Sequence, residues 1–128
     1  MFDLKVTRFF DAAHQLPDNE HLLTKQCANL HGHTYHVIVR VTNSVNVRNG
    51  MVVDFKGIKN IIDIFDHKFI NDEFKKLGYN DPPTAENIAR VLYTQIAEAY
   101  EDLYVVNVAV CEGYKGEANS SYVTYSKE

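Results

Sequence analysis

Three of the chain's six histidines fall between Leu30 and His36, and two of them, His31 and His33, flank a single glycine. Residues two apart in a strand point to the same face. Both imidazoles could therefore reach one ion, and Gly32 adds no bulk between them. Zinc takes neutral imidazole nitrogens readily and favours a tetrahedral set. The best third ligand is His14, which ends Phe10-Asp11-Ala12-Ala13-His14 where a first strand runs out. If the first two strands pair antiparallel across a long loop, their loop-side ends meet and His14 lies beside His31 and His33. The small Ala12 and Ala13 suit close packing there. A surface His-Gly-His tripeptide and a core-satisfied His14 are the bland alternative, but three rings with matching parity favour a metal. The ligand types prefer zinc to iron or nickel only weakly. His36 has the wrong parity to join the group, and His21 reads as a solvated loop residue.

Three protein ligands leave a fourth position open, the arrangement of a catalytic site. Cys27, four residues before His31, has three readings. It closes a structural Cys-His-His-His site, it is a loop thiol whose pKa a nearby cation lowers, making it a base or nucleophile, or it is an inert loop thiol. Cys111 ends the apolar run Val105 to Val110 and reads as a small packed residue. In Asp66-His67 the carboxylate could orient the ring and raise its basicity, although adjacent residues need not touch. Glu112 ends a predicted strand just before Gly113. It could accept two N–H donors from a flat heterocycle, or stand in solvent as an ordinary strand-end glutamate.

These groups need a frame. The chain has 128 residues, 45% hydrophobic and 23% charged, which predicts one globular domain over residues 1–128. Net charge is −4 with no Lys/Arg run, which argues against direct nucleic-acid binding. No apolar run approaches the ~20 residues of a membrane helix, and the start lacks a secretory layout. Two cysteines are too few for a disulfide framework, so a reduced, cytoplasmic setting is expected.

Alternation predicts strands over Phe2–Val6 and Tyr35–Thr42, with a polar loop over Asp18–Gln26 between them. Asn43–Gly50 reads as a turn region and Met51–Val53 as a short extended piece. Helical spacing of Ile58, Ile61, Ile62 and Phe65 predicts a helix over Lys56–Phe65, with Asp54 as its cap. After the turn cluster Gly78–Pro83, Thr84 caps a longer helix with the stripe Ile88, Val91, Leu92, Ile96, Ala99 and Leu103. Tyr104–Cys111 and Tyr122–Tyr125 are the last two strands. The grouping predicts an α+β fold, a four-stranded antiparallel sheet with helices on one face. Its open edges predict association between copies.

Taken in order, Phe10-x-Ala12-Ala13-His14, Cys27-x-x-x-His31-Gly32-His33-x-Tyr35, Gly50-Met51-Val52-x-Asp54-Phe55, Asp66-His67, Pro83-Thr84-Ala85-Glu86-Asn87 and Glu112 resemble one family. It is that of the 6-pyruvoyl- and 6-carboxy-tetrahydropterin synthases. The resemblance runs from about Phe2 to Glu112, and its specificity lies in the joint order and spacing. It implies the tunnelling fold with two helices on one side of the sheet, assembled as trimers whose sheets form a barrel and as stacked hexamers. Active sites then lie between subunits.

The resemblance further implies His14, His31 and His33 as zinc ligands and Cys27 as the catalytic thiol. Asp66 and His67 match its acid–base partners, and Glu112 the carboxylate that anchors the pterin ring. Thr84 and Ala85 border the ring, and Glu86 matches a family glutamate. The short Cys27-x-x-x-His31 gap, with no glutamate inside it, looks most like the 6-carboxy enzymes of queuosine and 7-deazaguanine biosynthesis. Their substrate is 7,8-dihydroneopterin triphosphate, and they use zinc and no organic cofactor. The pyruvoyl-forming and folate-pathway side-chain-cleaving branches are the neighbouring alternatives. Zinc or pterin binding without catalysis is a further one, and intact Cys27, Asp66 and His67 argue against a lapsed pterin-binding module. The run Glu112-Gly113-Tyr114-Lys115-Gly116 departs from members that carry a threonine after the glutamate. Lys25, Lys68 and Lys115 are the triphosphate-binding candidates, chosen by proximity to the motifs.

Overall fold

A computed structural model describes residues 1–17, 28–45 and 49–127. Strand β1 spans Phe2–His14 and β2 spans His31–Asn43. They pair antiparallel along their whole length, from Phe2 opposite Asn43 to His14 opposite His31. Strand β3 (Tyr104–Glu112) pairs with β2, and β4 (Tyr122–Tyr125) with β3, giving the sheet order β1-β2-β3-β4. The four-stranded antiparallel sheet is the one the patterning predicts. Among the described residues, no helix is long and apolar enough to cross a membrane.

β1 runs on from the alternating Phe2–Val6 to His14, where the first strand is expected to run out, although its alternation is broken at Arg8-Phe9. Arg8 breaks the run Val6, Phe10, Ala12, His14 and forms a two-pronged ion pair with Asp63, at 2.9 and 2.8 Å. Phe9 stays largely exposed and stacks on His36, with ring centroids 4.4 Å apart. Pairing along the full length of β2 then outweighs the local pattern. β2 behaves as predicted. Val37, Val39 and Val41 are buried, whereas Arg40 is exposed.

Three α-helices cover the buried face, one more than expected. Helix α1 (Phe55–Ile62) is capped by the Asp54 carboxylate, which accepts from the Lys56 amide at 2.9 Å. It tightens into a 3-10 turn over Asp63–Phe65, so the predicted span is right but its last turn is not α. Helix α2 (Ile70–Lys76) is the addition. It offers only Ile70 and Phe74 to the core among charged neighbours, too little periodicity to read in seven residues. Helix α3 (Ala85–Ala99) begins at Thr84, whose hydroxyl accepts from the Asn87 amide at 3.2 Å. It buries Ile88, Ala89, Val91, Leu92 and Ile96. Ala99 is exposed, and Leu103 lies past the helix end, partly buried against the core. The predicted stripe therefore ends at Ile96. Within the predicted extended piece Met51–Val53, Val52 and Val53 form bends. The predicted loop Asp18–Gln26, with His21 and Lys25, lies outside the described residues.

Phe10 and Tyr35 stack at the sheet's centre, 4.8 Å apart and 10° from parallel, with Phe65 against Phe10. Such pairs add about 0.5–1.5 kcal/mol beyond their buried area. This aromatic layer is the floor on which the histidine end of the sheet rests.

Candidate metal centre and acid–base pair

His14 is the last residue of β1 and His31 the first of β2, directly opposite it. His33 follows two positions on, opposite Ala12, on the same face. Strand parity and register alone thus bring the three rings together, as the sequence predicts. Their centroids are 4.5, 4.8 and 5.2 Å apart and their planes close to perpendicular. Gly32 is not demanded by space, since a Cβ there would meet the Ala12 carbonyl at an ordinary 3.5 Å.

Two of the rings are oriented from behind. His14 Nδ1 lies 2.8 Å from the Pro83 carbonyl, one residue before the α3 cap, and His31 Nδ1 lies 2.6 Å from the Asn29 carbonyl. A carbonyl only accepts, so each Nδ1 carries the proton and each Nε2 presents a lone pair. These two Nε2 atoms face each other at 2.9 Å. Two lone pairs at that distance repel unless a cation lies between them. Backbone carbonyls behind metal-ligating imidazoles fix the tautomer in this way.

The fourth member is Glu112, the last residue of β3, in register opposite Tyr35. Its Oε1 is 3.2 Å from His33 Nε2 and 4.0 Å from His14 Nε2. Ligand atoms of all four residues lie within 4.8 Å of one another. His33 Nε2 is buried and, despite that proximity, has no hydrogen-bond partner. For two ligands of a tetrahedral zinc, bonds of ~2.0–2.1 Å set a separation of about 3.3 Å. The observed 2.9, 3.2 and 4.0 Å bracket that value. The donor set and the orphaned nitrogen both fit a divalent metal.

Protonation states agree. Burial pushes the His14 imidazolium down, against the pull of the Pro83 carbonyl and Glu112, so the ring stays neutral. Burial pushes Glu112 up, but the neighbouring imidazoles, His33 foremost, outweigh it and hold the carboxyl below its ordinary value. A neutral His14 ring beside an ionised carboxylate is the form that binds a cation.

Asp66 and His67 do touch. Asp66 Oδ2 is 3.0 Å from His67 Nδ1. The pair is fixed to β1, where the Asp11 amide donates to Asp66 Oδ1 at 3.1 Å and the His67 amide donates to the Asp11 carbonyl at 2.7 Å. His67 sits at φ +58°, the left-handed region that non-glycine residues seldom occupy. Such strain persists where the surroundings over-determine it, and here Asp11 does so. Burial raises the Asp66 carboxyl, but the Asp11 amide and His67 outweigh it and set it below the ordinary carboxylate value. This stability is present above the ordinary value near ~3.9 and is lost as pH falls through the depressed one. Asp66→Asn is expected to lower the urea midpoint at pH 6. The gap to wild type should close as pH falls from 5 to 2, read by fluorescence-monitored unfolding at each pH.

The side chain of His67 is 79% exposed, and among the described residues no hydrogen bond or ion pair joins Asp66 or His67 to the three imidazoles. His67 instead borders an open hollow of about 600 Å³ shared with Ala13, His33, Thr34 and Lys68. Thr84 and Ala85 stand at the α3 start, tied to the centre through Pro83 and His14. Glu86 occupies the first turn of α3. Lys115 is exposed in the β3–β4 connection, its backbone amide donating to Ser120 Oγ. Cys111 is buried, as predicted. Cys27 lies outside the described residues.

Sequence reading missed three things. Tyr35 places a fully buried hydroxyl without a partner beside the rings, which the two-residue step from His33 could have flagged. Asp11 anchors Asp66 and His67, a contact across 55 residues with no local signal. Glu112 joins the imidazoles, which only the β2–β3 register reveals.

A sheet of four antiparallel strands backed by helices on one face, with histidines gathered at one end, is the tunnelling fold. The structure superposes on 6-pyruvoyl tetrahydropterin synthase from Caenorhabditis elegans with a TM-score of 0.67 at 20% identity, covering 99% of this chain and 96% of that one. A sequence model of the 6-pyruvoyl tetrahydropterin synthase family matches residues 3–128, and the chain belongs to that family. It is 35% identical over 99 residues to a 6-carboxy-5,6,7,8-tetrahydropterin synthase from Synechocystis, covering 70% of each chain. A protein of the same description from Bacillus subtilis is 28% identical over 127 residues, covering 97% of this chain and 84% of that one.

Proposed function

We propose that the chain is a zinc-dependent 6-carboxy-tetrahydropterin synthase, a cytoplasmic lyase of queuosine and 7-deazaguanine biosynthesis. It would convert 7,8-dihydroneopterin triphosphate to 6-carboxy-tetrahydropterin, acetaldehyde and triphosphate. The observation that carries this is the convergence of His14, His31 and His33 with two of their tautomers fixed from behind. The short Cys27-x-x-x-His31 gap and the names of the relatives support the carboxy branch over its neighbours.

His14, His31 and His33 would hold the zinc. When bound, it supplies Lewis acidity to the substrate's side-chain oxygens and the adjoining C–H bonds. Cys27, as thiolate, takes a proton from the side chain. His67, oriented by Asp66, carries a proton between the side chain and the medium. Glu112 accepts the N–H donors of the pterin ring, whose edge Thr84 and Ala85 border. Fixing the ring this way supplies much of the rate gain by orientation. As the family resemblance implies, a second copy in a trimer or hexamer would complete the working site. Purified protein incubated with 7,8-dihydroneopterin triphosphate is expected to yield the carboxy product by mass spectrometry. A pyruvoyl or 6-hydroxymethyl product would move the chain to a neighbouring branch.

A further inference from the structure

We propose that Thr34 is a positioning residue for the acid–base pair: its hydroxyl holds the Asp11 carboxylate away from Asp66 and so keeps Asp66 on His67. This rests on the reading of His67 as proton carrier and adds to it a residue that acts from the second strand. Thr34 Oγ1 donates to Asp11 Oδ1 at 2.5 Å, the length of an O–H···O⁻ bond. The two residues face each other across β1 and β2. Their backbones are engaged elsewhere. The Asp11 amide donates to Asp66 Oδ1 and its carbonyl accepts from the His67 amide, both away from β2. The Thr34 carbonyl accepts from the Gly113 and Tyr114 amides, at 3.0 and 3.1 Å, on the β3 side. In an antiparallel ladder such a pair exchanges no backbone hydrogen bonds, so this side-chain brace is its direct link.

The need for a hold comes from charge. Asp66 Oδ1 sits on Asp11's own amide, 3.1 Å away, so the two carboxylates are gathered around one peptide unit. A freed Asp11 side chain can turn toward Asp66, and a like charge at that range opposes the ionised form. The other charges around Asp66 are cationic or paired. His67 Nδ1 lies 3.0 Å from Oδ2, and Arg8 lends a weaker pull while it is paired with Asp63. Lys68 shares the hollow that Asp11, Thr34 and His67 line. Among the described residues Asp11 makes no ion pair, and the Thr34 hydroxyl is its side chain's hydrogen-bond partner. Both side chains are exposed, so the brace adds little to global stability and its effect is local.

Thr34→Val keeps the side-chain shape and removes the hydroxyl. It is expected to lower kcat about tenfold, the worth of one hydrogen bond to a charged group, with KM unchanged. KM holds because the turn after Glu112 hangs on the Thr34 carbonyl, which any residue supplies. In an NMR titration the Asp66 carboxyl of Thr34→Val is expected to ionise at higher pH than in wild type, with the melting temperature little changed. Thr34→Ser keeps the hydroxyl, and the double variant Thr34→Val with Asp11→Asn removes the repelling charge. Each is expected to restore kcat and to bring Asp66 back to ionise at or below its wild-type pH. Wild-type kcat and Asp66 titration in Thr34→Val overturn the proposal. So does a loss that Asp11→Asn leaves in place, since damage to strand packing would persist without the charge. Absence of pterin turnover in the wild type is a different failure: it removes the proposed reaction, while the Asp66 titration still decides the brace.

Discussion

Replacing His31 with alanine is expected to remove the metal and all turnover together while leaving the fold intact. His31 lies outside the buried core, at the first position of β2. Its ring contributes one Nε2 to the centre and one Nδ1 contact to the Asn29 carbonyl. Structural zinc sites bind with ~10–16 kcal/mol shared over four ligands, so losing one costs roughly 3 kcal/mol, or a hundredfold or more in affinity. His14 would be the poorer choice. It is fully buried and satisfies the Pro83 carbonyl beside the α3 cap, so its loss would also disturb folding. Metal content by mass spectrometry, with the melting temperature as a control, reads the result. Normal metal content in a folded His31→Ala protein would count against the centre.

Cys27→Ala is expected to separate the two properties. The metal should remain at wild-type stoichiometry while turnover falls about 10²- to 10⁴-fold, the range for removing a general acid–base group. The four-residue spacing to His31 allows the thiol either to ligate or to react, and only this variant divides the two. Loss of metal with the thiol would make Cys27 a ligand and the centre structural. Retained metal with lost turnover leaves the sulfur as the proton carrier.

Much of this arrangement was legible because it follows a period of two. His31, His33 and Tyr35 share a face by counting, and His14 joins them once two strands are taken as a hairpin. The caps Asp54 and Thr84 were equally legible, since each is a short polar side chain just before a helical stripe. What escaped depends on partners far away in sequence. Glu112 reaches the imidazoles only through its register with β2, downstream of an irregularity beside Arg40 that no local pattern marks. Asp66 and His67 gain their orientation from Asp11, and the full length of β1 rests on its pairing with β2. Helix α2 was hidden for the opposite reason. It is local but too short, with only two apolar anchors.

The left-handed backbone at His67 has a wider consequence. Its amide is held by a strand rather than by either neighbouring helix, so the imidazole proposed to carry a proton takes its position from the sheet. Helices α1 and α2 can then drift in sequence, or breathe thermally, without detuning it. Across distant cousins, the surface of that helical layer should vary freely while the short tether to β1 keeps its shape.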